Sequence, residues 1–146
     1  MASKDLNFKI NGKSIGHTKY QGYARNFELI VDEPEMLGGE DSAANPVEYL
    51  LAGYAGCLNV VFGIVAKELA IEIQSLKINI DGDINPEKFL GISNDERAGF
   101  KSLNVGISLI TNSDKEKEDL LFKTVRNRCP INDNLSNPTP INYIYN

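Results

Sequence analysis

Two cysteines are the residues in this chain whose type and placement could do chemistry. Cys57 sits in the middle of NPVEYLLAGYAGCLNVVFGIVAKEL, Asn45 to Leu69, and Cys129 stands directly before Pro130. Two readings apply. Each can be a small hydrophobe, which is what a buried free cysteine usually is. Alternatively the two form a reactive pair, one mid-helix and one at a helix end. With His17 they make a poor metal set, since zinc would also need a carboxylate and the spacing shows no close ligand pair. No metal and no other cofactor is expected.

The element that positions Cys57 dominates the chain. Between Glu48 and Lys67 there is no charge, and Asn45 followed by Pro46 reads as a helix start. A helix apolar around most of its circumference must be buried on nearly all sides. It would span roughly 35 Å, the width of a small domain, so a second subunit is expected to complete its burial. The charge-free run just reaches the lower limit for a membrane span. Gly53, Gly56, Gly63 and Asn59 dilute it and acids flank it, so a buried helix rather than a membrane segment is expected.

The other elements follow from periodicity. Leu6 to Ile10, a turn at Asn11-Gly12, a return over Lys13 to Tyr23 and a third strand through Phe27, Leu29 and Val31 predict an antiparallel meander. Alternation at Leu76, Ile78 and Ile80, and again at Leu103, Val105, Ile107 and Leu109, predicts two neighbouring strands. Ser113 with Glu116 predicts a capped second helix, with Leu120, Leu121, Val125 and Phe122 inward, ending at Cys129-Pro130. Ile141 to Tyr145 reads as a last strand after a loop rich in Asn and Pro. The sum is an α+β fold in a single domain over residues 1–146.

Bulk composition excludes several classes. With 42% apolar and 24% charged residues the chain is an ordinary globular protein, and a net charge of −5 with no basic stripe speaks against nucleic acid. The segment MASKDLNFKI lacks the apolar core of a signal peptide, so a cytoplasmic location is expected. In that reducing compartment two cysteines do not call for a purely structural disulfide.

The contexts of the two cysteines, NPVEYLLAGYAGCL and RCPINDNLSNPTPI, resemble the OsmC/Ohr proteins. So do DEPEMLGGED ahead of the helix and GDINPEKFLGISNDERAGFKS after the fourth strand, and the resemblance covers nearly the whole chain. It implies an intertwined homodimer in which antiparallel sheets wrap two central helices. It also implies a thiol peroxidase of oxidative stress defence: Cys57 attacks an organic hydroperoxide to give a sulfenic acid, Cys129 resolves it as a disulfide, and a dithiol reductant restores the pair.

That chemistry needs a thiolate at Cys57. Burial raises a thiol's pKa and the helix dipole fades within the first turn, so a cation must stand beside it. In the family's peroxidases an arginine from an early loop does this, held by a glutamate directly after the Asn-Pro. Here Val47 takes that place and the acid follows as Glu48, about 100° further around the helix. The segment from Asn11 to His17 has no arginine, which leaves Arg25 and Arg128 as candidate cations. Glu48 as an ordinary helix-start acid and Arg25 as a solvated strand-end charge are the simpler roles. Two other functions remain open: a dimer of the same fold that binds a small hydrophobic ligand without turnover, and a redox sensor whose disulfide alone changes a partner's binding.

Overall fold

The computed structural model describes residues 4–146, which form two compact units, one up to Leu50 and one from Leu51 to Asn146. The first is an antiparallel meander of β1 (Asn11–Ser14), β2 (Tyr20–Ala24) and β3 (Phe27–Val31), in that order across the sheet. Asn11 pairs with Tyr23 and Ser14 with Tyr20, so Asn11-Gly12 lies inside a strand and the turn falls later, closed by the Ile15 N–H to the Lys19 carbonyl at 2.9 Å. Leu6 to Ile10 is not a strand. Leu6 and Phe8 are exposed, and among the described residues this stretch is in no strand ladder.

Beyond β3 the chain is tied down by one side chain. Asp32 is wholly buried and accepts from the hydroxyls of Thr18 (2.6 Å) and Ser42 (2.7 Å) and from the Ser42 N–H (3.1 Å). These donors hold its carboxyl well below the usual carboxylate range. The loop between β3 and the long helix is thereby ordered around a buried, fully partnered charge.

The helix α1 (Pro46–Glu68) has the expected extent. Asn45 Oδ1 accepts from the Glu48 N–H and Glu48 Oε1 accepts from the Asn45 N–H, both at 2.9 Å. Glu48 thus occupies the third helical position, where a capping box needs an acid. At the other end Ala70 has a left-handed backbone (φ 54°), and the N–H groups of Ala70 and Ile71 return to the carbonyls of Lys67 and Ala66. This is a Schellman closure with alanine where glycine is strain-free. Ala70→Gly should raise stability by about 0.5–1 kcal/mol. The check is a higher urea midpoint at unchanged slope; an unchanged midpoint contradicts the strain.

In the second unit α1 packs with α2 (Lys115–Arg128) and with the antiparallel pair β4 (Ile73–Gly82) and β5 (Leu103–Thr111). Alternate residues Leu76, Ile78 and Ile80 of β4 and Leu103, Ile107 and Leu109 of β5 lie against a core of Leu58, Val61, Phe62, Val65, Leu121 and Val125. Leu121 and Val125 are fully buried as expected, whereas Leu120 is largely exposed. Asp114 rather than Ser113 caps α2, accepting from the Lys117 N–H at 2.9 Å. Two further departures matter for the site. A short α3 (Pro130–Ser136) replaces the expected loop, and Ile141 to Tyr145 forms no strand.

Only part of α1 is covered within the chain. Tyr54, Leu58, Val61, Phe62 and Val65 face the core, but Val60 and Ile64 are 58% and 47% exposed. Asn59 is exposed within the chain as well. Nothing lies within 4 Å of where a Cβ would stand on Gly53, Gly56 or Gly63. Gly53, Cys57, Val60 and Ile64 recur at three- and four-residue spacing, so they share one stripe of the helix. By length and apolarity alone α1 could cross a bilayer; a third of its most apolar stretch is buried within the chain.

Candidate functional site

The two cysteines meet. Cys57 is carried by the third turn of α1 and Cys129 by the junction of α2 and α3, and their sulfurs are 3.2 Å apart, with the Cys129 thiol donating to Cys57 Sγ. Both are free thiols. Cys129 is 1% exposed and Cys57 is half-buried, so the pair is unequal: one sulfur can be reached and the other lies behind it.

The local fold explains the placement of Cys129. Pro130 cannot continue α2, yet its fixed φ suits the first position of a new helix. Cys129 therefore ends α2 and begins α3, and its Sγ accepts from the Asn132 N–H at 3.4 Å as the cap of α3. Burial pushes the Cys129 thiol above its ordinary value of 9.0; the Asn132 N–H pulls it partly back, and the bond it donates to Cys57 raises it further.

A pH dependence follows from that raised value. The folded chain holds the Cys129 proton more tightly than the unfolded chain does. The resulting stabilisation is complete below the ordinary thiol value and is lost as pH rises through the folded one. The urea midpoint of the reduced protein should therefore fall above about pH 9, more steeply than that of Cys129→Ala. Parallel curves for the two proteins would contradict the assignment.

The remaining candidates take other posts. Arg128 forms a two-pronged ion pair with Glu68, at 2.7 and 3.1 Å. Glu68 is eleven residues past Cys57 on α1, roughly 16 Å along the axis, so this guanidinium is held toward the far end of the helix. Arg25 stands in the turn between β2 and β3 with φ 55° and lies over the Phe27 ring, 5.0 Å from its centre. Glu48 is engaged in the cap of α1. His17 is exposed in the turn after β1. Among the described residues no three His, Cys, Asp or Glu side chains gather closely enough to hold a metal ion.

Two residues that the sequence did not single out belong to the site. Tyr54, three positions before Cys57, donates its hydroxyl to Asn132 Oδ1 at 2.8 Å; Asn132, three positions after Cys129, donates its Nδ2 to the Arg126 carbonyl at 3.1 Å. Their only sequence signal is that spacing of three from each cysteine, which is one helical turn. Beside them lies a cavity of about 270 Å³ with apolar walls from Leu58, Leu103, Val105, Ile107 and Phe122 and a polar end formed by Tyr54, Asn132 and Arg126.

An α+β scaffold that presents a reachable thiol on its central helix against a buried second thiol defines a class of dithiol proteins. The sequence profile described as OsmC-like protein matches residues 39–144. This chain belongs to the OsmC-like protein family. The organic hydroperoxide resistance protein OhrB of Bacillus subtilis strain 168 is 29% identical over 122 residues, spanning 82% of this chain and 80% of its own. Among solved structures, an OsmC-like protein from Mycoplasma pneumoniae superposes with a TM-score of 0.79 at 18% identity, covering 92% of this chain and 91% of that one. An organic hydroperoxide resistance protein from Elizabethkingia anophelis gives 0.64 at 21%, covering 90% and 89%. The α+β expectation and the family resemblance are both confirmed.

Proposed function

We propose that this protein is a thiol peroxidase that reduces organic hydroperoxides in oxidative stress defence, acting as a cytoplasmic homodimer. The observation that carries the reading is the sulfur pair: 3.2 Å apart, with the accessible member accepting a hydrogen bond from the buried one. The Cys57 thiolate attacks the distal peroxide oxygen, the O–O bond breaks, and the alkoxide takes up a proton to leave as an alcohol, with sulfenic acid on Cys57. Cys129 then attacks that sulfur, forming the disulfide and releasing water; an external dithiol reduces the disulfide by exchange. The cavity beside Tyr54 and Asn132, lined by apolar and polar side chains alike, has room for the organic part of such a substrate. A relative named for organic hydroperoxide resistance supports the substrate class.

The uncovered face of α1 supports the dimer. A stripe of glycines and aliphatic side chains with Cys57 in its midst is uncovered in the chain, and a second copy of the same helix would bury it and dry the surroundings of the sulfur. The same cavity favours one other reading, a dimer that binds a small hydrophobic ligand without turnover. Cumene hydroperoxide with dihydrolipoate separates them. Sustained peroxide loss supports the enzyme. Oxidation of both thiols without turnover points to a redox sensor, and thiols untouched by peroxide leave ligand binding as the function.

A further inference from the structure

We propose that the Tyr54–Asn132 hydrogen bond is a positioning latch that holds Cys129 against Cys57 and so sets how readily the two form a disulfide. The inference rests on the reading of the two thiols as a redox pair. It goes beyond that reading by assigning roles to two residues other than the cysteines.

The geometry places this bond across the joint that must close. Cys57 rides on α1, and Tyr54 is one turn before it on the same helix. Cys129 caps α3, and Asn132 lies in the first turn of α3 with its own N–H on Cys129 Sγ. The Tyr54 hydroxyl therefore ties the helix bearing one sulfur to the turn bearing the other, at 2.8 Å. Asn132 is fixed a third time through its Nδ2 on the Arg126 carbonyl, so α3 cannot drift from the end of α2 without breaking bonds. A disulfide needs sulfurs about 2.05 Å apart, and these stand at 3.2 Å. The remaining approach is short, and the probability of making it depends on how tightly the first turn of α3 is held to α1. Tyr54 itself is buried.

The bond makes a direct demand on the oxidation step, in which sulfenic acid on Cys57 and the thiol of Cys129 combine to give the disulfide and water. When Cys129 is loosened, the sulfenic acid survives longer and a second hydroperoxide can carry it to sulfinic acid. The same latch governs exchange with glutathione, where the reduced pair and one glutathione disulfide yield the protein disulfide and two glutathione thiols.

The test is the thiol–disulfide equilibrium of the intact protein in glutathione redox buffers, read by alkylation and mass. Tyr54→Phe removes only the hydroxyl and should shift the equilibrium toward the dithiol by about fivefold, the share of one neutral hydrogen bond. Asn132→Ala should shift it at least as far, and adding Tyr54→Phe to that variant should change nothing more, because its partner is already gone. A Tyr54→Phe equilibrium equal to wild type overturns the latch. So does an equal fivefold shift in both backgrounds, which would mark general packing instead. No peroxide enters this measurement, so a chain that ignores hydroperoxides would sink the peroxidase reading while the glutathione equilibrium still decides the latch.

Discussion

Replacing Cys57 with serine is expected to lower hydroperoxide turnover by roughly 10³-fold or more. A serine hydroxyl keeps its proton at neutral pH, and its oxygen is a far weaker nucleophile toward peroxide than sulfur. Cys129 cannot substitute as the attacking sulfur, since it is 1% exposed and burial holds its thiol in the neutral form. Cys129→Ser should behave differently. Its Cys57 still takes oxygen from the first hydroperoxide, but no disulfide follows, so turnover with a dithiol stalls and excess peroxide drives the sulfur toward sulfinic acid. Stopped-flow peroxide consumption with mass analysis of the protein distinguishes the variants. Wild-type rates in Cys57→Ser would remove the mid-helix thiol from the reaction.

The second large effect concerns assembly. Val60 lies 58% exposed on the open stripe of α1, one turn from Cys57 and from Ile64. Val60→Glu should leave the chain folded, because the side chain meets solvent within its own chain. In a dimer closed over that stripe it would bury an unpaired carboxylate, which costs about 3 kcal/mol or more and weakens association by at least roughly 100-fold. Light scattering coupled to gel filtration at micromolar protein should show wild-type dimers and mutant monomers. A dimer in both would place the interface elsewhere, and a wild-type monomer would leave the stripe without the partner proposed for it.

How much of this was legible in the sequence depends on where each signal resides. Strands such as Ile73–Gly82 and Leu103–Thr111 announce themselves because one face is half-buried and the alternation records it, whereas in Phe27–Val31 the pattern overstated burial, Phe27 being exposed. Leu6–Ile10 and Ile141–Tyr145 carry similar patterns but join no strand ladder among the described residues, since a strand needs a neighbour that pattern alone cannot supply. Pro130 was legible as a stop and not as a start, although the same locked φ serves both, which is why α3 went unforeseen.

The site shows the same division. Both cysteines were visible by residue type and context, and the end of α2 at Cys129 was visible from Pro130. Their contact across 72 positions of chain was not, because it is set by how α1, α2 and α3 pack. Glu48, one position later than the family's acid, finds its explanation in the cap it forms with Asn45. Arg128 proved to be matched to Glu68, a partner sixty residues away that no local pattern connects to it.

Whether the two sulfurs act as one redox pair is tested most directly by the mass of the protein after a single equivalent of cumene hydroperoxide. The predicted product is lighter by two hydrogens, with neither cysteine open to alkylation and both recovered on adding a dithiol. A product that gains oxygen at Cys57 while Cys129 still alkylates after unfolding, or one left unchanged in mass, would contradict it.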